Sequence, residues 1–108
     1  MKKKKWLEQT DYMTDTGYLL HCPVCSRDFT HHGDVTIYDR DVEDGPVKTT
    51  HIGDNSQPGE CPSGRRGAVG IHFNGECGHS FEVCVIQHKG QTFLSIREKN
   101  DASGPAAL

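Results

Sequence analysis

Two short cysteine clusters constrain this chain more than anything else in it. Cys22-Pro23-Val24-Cys25 is a Cys-x-x-Cys pair, and Cys77-Gly78-His79-Ser80-Phe81 supplies a third cysteine followed by glycine and histidine. Two thiolates three residues apart can grip one ion because a tight turn aims both sulfurs at one point, and zinc accepts such ligands at about 2.3 Å. Glycine directly after Cys77 relieves the strain of a turn. Tyr18-Leu19-Leu20-His21 feeds into the first cluster and an alternating run leaves the second at Phe81, so both sit at strand junctions.

A metal suits the rest of the composition. The chain has 108 residues, a hydrophobic share of 33%, twelve glycines and five prolines. That is one domain with many turns and a thin core, the size at which natural domains add a metal or disulfides. Five cysteines are an odd count for a disulfide framework. Lys2 to Lys5 resemble the basic start of a leader, but Trp6-Leu7-Glu8-Gln9-Thr10-Asp11 supplies no apolar segment behind them. No apolar run has the length of a membrane span. The expected compartment is the reducing cytoplasm, where close cysteines favour metal over disulfide. The expected organisation is a basic disordered tail at 1–5, a single zinc-stapled β domain at 6–99 and a disordered tail at 100–108.

Periodicity points to a mainly β fold. Val35-Thr36-Ile37-Tyr38 alternates and is rich in β-branched residues, with Val47-Lys48-Thr49-Thr50-His51-Ile52 as its candidate partner beyond Asp44-Gly45-Pro46. Residues 53–67 are dense in Gly, Pro, Asn and Ser and read as a long loop. Val69, Ile71 and Phe73 share one face of a strand over 68–73. Phe81, Val83 and Val85 share one face of the next. His88-Lys89-Gly90-Gln91 fits a primed two-residue hairpin turn, pairing 80–87 with 91–97. Residues 5–16 read as a helical turn or two.

Cys-Pro-Val-Cys followed much later by Glu-Cys-Gly-His-Ser-Phe resembles the two halves of a zinc ribbon, in which two knuckles from adjacent β-hairpins hold one structural zinc. The resemblance covers these motifs and the final hairpin. It implies a small antiparallel sheet with a long loop inserted between the knuckles. The segment from Pro62-Ser63-Gly64-Arg65-Arg66-Gly67 through Gln87-His88-Lys89-Gly90-Gln91-Thr92 also resembles small proteins of phages and bacteria, a likeness that brings no activity with it. In one respect the chain departs from the ribbon pattern: Asn74 stands where a fourth cysteine belongs. His79 is the nearest candidate to complete Cys22, Cys25 and Cys77, because Cys-x-His can wrap one ion when the middle residue is glycine. Cys61 is next, and His72, His21, His32 and Cys84 follow.

Other constellations carry less. His31-His32-Gly33-Asp34 could bind a second metal or perform acid–base work, but it lacks the spacing of a zinc hydrolase and reads as a polar turn entering the strand at Val35. No local signature accompanies any Cys–His pairing as a nucleophile. Arg65 and Arg66, flanked by glycines, could reach phosphate or carboxylate bidentately, with Lys89 as a further cation. Net charge is −3, which gives no global basic field. Between Asp28 and Glu60 eight acidic residues stand against Arg40 and Lys48, a net of −6; residues 61–99 carry a net of +2.

These features favour a non-enzymatic, zinc-binding interaction module, such as a phage or bacterial accessory protein that docks on a larger protein complex. No catalytic set, membrane segment or small-molecule substrate is evident. A nucleic-acid-binding zinc ribbon, with Arg65, Arg66 and Lys89 on phosphates, is the alternative. A metal-dependent enzyme comes third.

Overall fold

Alternation over residues 30–39 and 68–99 builds the body of the molecule, an antiparallel sheet of five strands. The computed structural model describes residues 6–10 and 17–99. The tails assigned to 1–5 and 100–108 lie outside the described residues. Seven strands appear among the described residues, in chain order: β1 (Leu7–Thr10), β2 (Gly17–Leu20), β3 (Thr30–Asp39), β4 (Lys48–Ile52), β5 (Ala68–Gly75), β6 (Ser80–His88) and β7 (Gln91–Lys99). β1 and β2 form a two-stranded sheet of their own, and the larger sheet runs β4-β3-β5-β6-β7. Every pairing is antiparallel, and no helix occurs among the described residues.

The expected hairpins are present. Val35 to Asp39 pairs with Lys48 to Ile52. Ser80 to His88 pairs with Gln91 to Lys99 in one register. The turn joining β6 and β7 has Lys89 at φ 52° and Gly90 at φ 80°, the two left-handed positions that a type I′ turn demands. Residues 53–67 contain no strand or helix.

Two expectations are corrected. The helical turn read over residues 5–16 is overridden by pairing: Leu7 to Thr10 forms β1, held to β2 from Leu7↔Leu20 to Thr10↔Gly17. Residues 11–16 of that stretch lie outside the described residues. His31-His32-Gly33-Asp34 is not a turn before the strand but part of β3, and the register shifts between His32 and Val35. There Gly33 and Asp34 together oppose His72, the two-against-one count of a β-bulge. The extra residue turns Asp34 to the inner side, where it is 5% exposed.

The sheet buries its more polar face. Thr36, Tyr38, Ala68, Glu82 and Cys84 are buried on it, and the loop over residues 53–67 is anchored there. Asp34 Oδ2 accepts from the Asn55 amide at 2.9 Å, the Ser56 amide at 2.7 Å and Ser56 Oγ at 2.9 Å. The Tyr38 hydroxyl donates to the Gly59 carbonyl, and Ser63 Oγ to the Gln87 carbonyl. Glu82, 2% exposed, accepts from Arg97 Nε at 2.6 Å with Lys99 Nζ 4.0 Å away. Such partners are what make a buried carboxylate tolerable. On the opposite face lie Ile52, Val35, Ile71, Val83 and Ile96 in one row, and Ile37, Val69, Val85 and Leu94 in the next, following the ladder registers. Phe73 and Phe81 stack beside them with centroids 5.5 Å apart.

Candidate metal centre

Cys22 lies two residues past the end of β2, and a local turn shapes the chain after it. The Ser26 amide donates to the Cys22 carbonyl at 2.9 Å, and the Cys22 amide donates to the Arg27 carbonyl at 2.7 Å. Ser26 closes the turn at φ 69°. The second pair sits in the β5–β6 connection. Here the Gly75 amide donates to the His79 carbonyl and the Gly78 amide to the Gly75 carbonyl, while Gly78 takes φ 94°, a conformation open to glycine at little cost. A Cβ on Gly75 would lie 2.8 Å from Cys77 Sγ. Both Gly75 and Gly78 are therefore conditions of the knuckle.

These two turns bring the ligand atoms of Cys22, Cys25, Cys77 and His79 within 4.8 Å of one another. His79 Nδ1 lies 3.6 Å from Cys22 Sγ and 3.3 Å from Cys77 Sγ. A tetrahedral ion with sulfur at about 2.3 Å and nitrogen at about 2.0–2.1 Å needs sulfur–nitrogen edges of about 3.5 Å. The donors thus fit one ion, and together they could hold a metal with every tetrahedral position filled by protein.

The electrostatics of the two knuckle thiols differ. Burial pushes Cys22 up to about 11, against the amides of Cys25 and Val24 that favour its thiolate. Cys25 is lowered to about 6, chiefly by the Arg27 amide directed at its sulfur, with Cys77, His79 and Cys22 adding to the effect. Cys25 is thus the readier thiolate donor to a cation, whereas Cys22 would give up its proton as a metal bond forms.

The other ligand candidates lie elsewhere or are engaged. His21, beside Cys22 in sequence, directs both ring nitrogens away from the cluster as donors: Nδ1 is 2.9 Å from the Ser26 carbonyl and Nε2 is 2.8 Å from Glu8 Oε1. Those contacts, the Ser26 carbonyl first, raise its pKa. Cys84 is buried in mid-sheet opposite Gly70. Cys61 lies 3.9 Å from Arg40, in the loop. His72 faces Glu82 across the β5–β6 ladder, and His32 is exposed on β3. Asn74 is no part of a knuckle; its Oδ1 accepts from Ser80 Oγ at 2.8 Å. The His31–Asp34 cluster is dispersed, with His31 on Glu76 at 2.7 Å and Asp34 buried under the loop.

The cationic residues gather at the other end of the large sheet. Ser63 Oγ accepts from the Arg65 and Arg66 amides, and Gly67 accepts from the Gln87 amide beside the turn that carries Lys89. The Arg65 guanidinium is already paired, 2.8 Å from Glu43 and 3.8 Å from Asp44. Arg66 and Lys89 are exposed. Sequence reading missed Asp34 as the loop anchor and Glu43–Asp44 as the acidic partners of Arg65. The bulge that turns Asp34 inward has a faint sequence signal in Gly33.

Among the described residues no helix is long and apolar enough to cross a membrane. No protein-family model, curated protein or solved structure matches this chain.

Proposed function

We propose that the chain is a non-enzymatic, zinc-binding interaction module. The observation that carries this reading is the convergence of Cys22, Cys25, Cys77 and His79, whose ligand atoms lie within 4.8 Å of one another. Three thiolates and an imidazole suit zinc better than magnesium or calcium, which prefer oxygen donors. With four protein donors, the ion has no open position for water or substrate, which is the arrangement of a structural site. The two knuckles lie in turns next to β strands, in keeping with a zinc-ribbon-like centre carrying an insertion of β3, β4 and the 53–67 loop. Three thiolate ligands remain competent in a reducing compartment, and we place the protein in the cytoplasm on that ground.

The interaction role rests on the open apolar face of the five-stranded sheet. It offers a partner protein a surface running from the Phe73–Phe81 stack to Ile37 and Leu94, as an accessory protein docking on a larger complex requires. The competing nucleic-acid reading would use Arg65, Arg66 and Lys89, but Glu43 and Asp44 already neutralise Arg65. A salt titration with a random oligonucleotide separates the two. The interaction reading expects no steep salt-dependent affinity, whereas phosphate binding would lose affinity in proportion to the number of contacts. Elemental analysis of the purified chain tests the metal, with one zinc per chain expected and a metal-free folded chain contradicting the proposal.

A further inference from the structure

The five-stranded sheet has its faces reversed relative to a usual one-sheet core. Its polar face is buried beneath the 53–67 loop, while its apolar face is left open. Eleven apolar side chains share that face, and of them Phe81 alone is buried. Ile37 is 39%, Ile52 58% and Leu94 59% exposed, and the other seven are half-buried.

We infer that this face pairs with the same face of a second copy of the chain, giving a two-fold dimer whose sheets pack as a sandwich. The inference rests on the interaction-module reading and names its partner. The open apolar surface is on the order of 500 Å² per chain, at the upper end of what monomers expose. Two such faces remove on the order of 1,000 Å², the size at which specific association begins. The face carries its charges only at the margin, with Lys48 and Asp39 at one end of the rows and Glu98 at the other. A surface without a charge pattern is complementary to itself, and an isologous contact of this kind closes at two copies. Pleated faces of this composition interdigitate at about −30°.

Sedimentation velocity of the zinc-loaded full chain, from low to high micromolar concentration, tests this. Twice the chain mass is expected at the upper end. Leu94→Glu, at an exposed site where folding of the single chain is little affected, should raise the dimer dissociation constant at least about tenfold. Val42→Glu, 62% exposed but in the β3–β4 connection off this face, should leave it unchanged. A wild-type chain that stays monomeric overturns the inference, as does a dimer insensitive to both Leu94→Glu and Ile37→Glu. If the chain is monomeric, uptake of an apolar-surface dye by wild type but not by Leu94→Glu leaves the face as a site for a different protein. Equal absence of uptake in both removes the interaction reading too.

Discussion

Cys22 Sγ lies 3.6 Å from His79 Nδ1 across 57 positions of sequence, and no strand ladder connects the elements that carry them. Cys22 extends from the small β1–β2 sheet, while His79 leads into β6 of the large one. The four-donor cluster is therefore the joint between the two sheets, with Cys22 and Cys25 given from one side and Cys77 and His79 from the other. An ion there would do more than stiffen a turn: it would fix the β1–β2 hairpin to the body of the molecule.

His79 is the donor that the sequence left open, and its replacement discriminates between ligand sets. His79→Ala should weaken zinc binding by more than about 100-fold, since loss of even an outer-shell partner costs about 10–100-fold. His79→Cys should retain one ion per chain, and Cys61→Ser should bind as wild type does. Cobalt substitution reads the outcome through its thiolate charge-transfer and d–d bands. A wild-type cobalt spectrum in His79→Ala, altered by Cys61→Ser, would assign the fourth position to Cys61.

Gly70 presses against the buried polar face. A Cβ there would meet the Glu82 carboxylate, with Cδ only 2.7 Å away, and would push it from Arg97. Gly70→Ala should destabilise the zinc-loaded chain by about 1–3 kcal/mol in urea melts, the usual cost of overpacking. Gly64→Ala, where an added Cβ meets nothing within 4 Å, should change stability by less than about 0.5 kcal/mol. Equal effects of the two would contradict the packing around Glu82.

His72 should titrate below its ordinary value of 6.5. Burial is the main cause and the Lys99 charge the second, partly opposed by Asp34 and Glu82. Its Nδ1 is buried without a hydrogen-bond partner. Because the folded state resists the proton, the unfolded chain binds more protons between the lowered midpoint and 6.5. Stability therefore rises with pH through that window and falls as the solution is acidified. NMR titration of the zinc-loaded chain should place the imidazole midpoint below 6.5, and His72→Gln should flatten this part of the pH–stability slope. A midpoint above 6.5 would show that the ring is not desolvated.

The legible parts of the fold were those written in local pattern. Period-two alternation marked β3, β5 and β6, and Lys89-Gly90 marked the turn that pairs β6 with β7 because few residues accept two successive positive φ angles. The cysteine spacing marked both knuckles, and Gly78 singled out His79. What stayed hidden depends on partners distant in sequence. Leu7–Thr10 has no strand signature of its own and becomes β1 by pairing with Gly17–Leu20. Alternation showed that Val69, Ile71 and Phe73 share a face, but not that the opposite face would be buried. That depended on Asp34, whose bulge and bonds to Asn55 and Ser56 draw the 53–67 loop over the polar side. Arg65 looked available for phosphate because Glu43 and Asp44 lie more than twenty positions upstream.

The central claim is that one zinc held by Cys22, Cys25, Cys77 and His79 maintains the fold. Structural zinc contributes about 10–16 kcal/mol apparent at neutral pH, as much as the whole stability of a small domain, about 5–15 kcal/mol. The most direct measurement is a thermal melt before and after exhaustive chelation, with released zinc quantified in the same sample. The account predicts one zinc released per chain, loss of the cooperative transition, and its recovery when zinc is restored. A sharp, cooperative melt that survives complete removal of metal would contradict it.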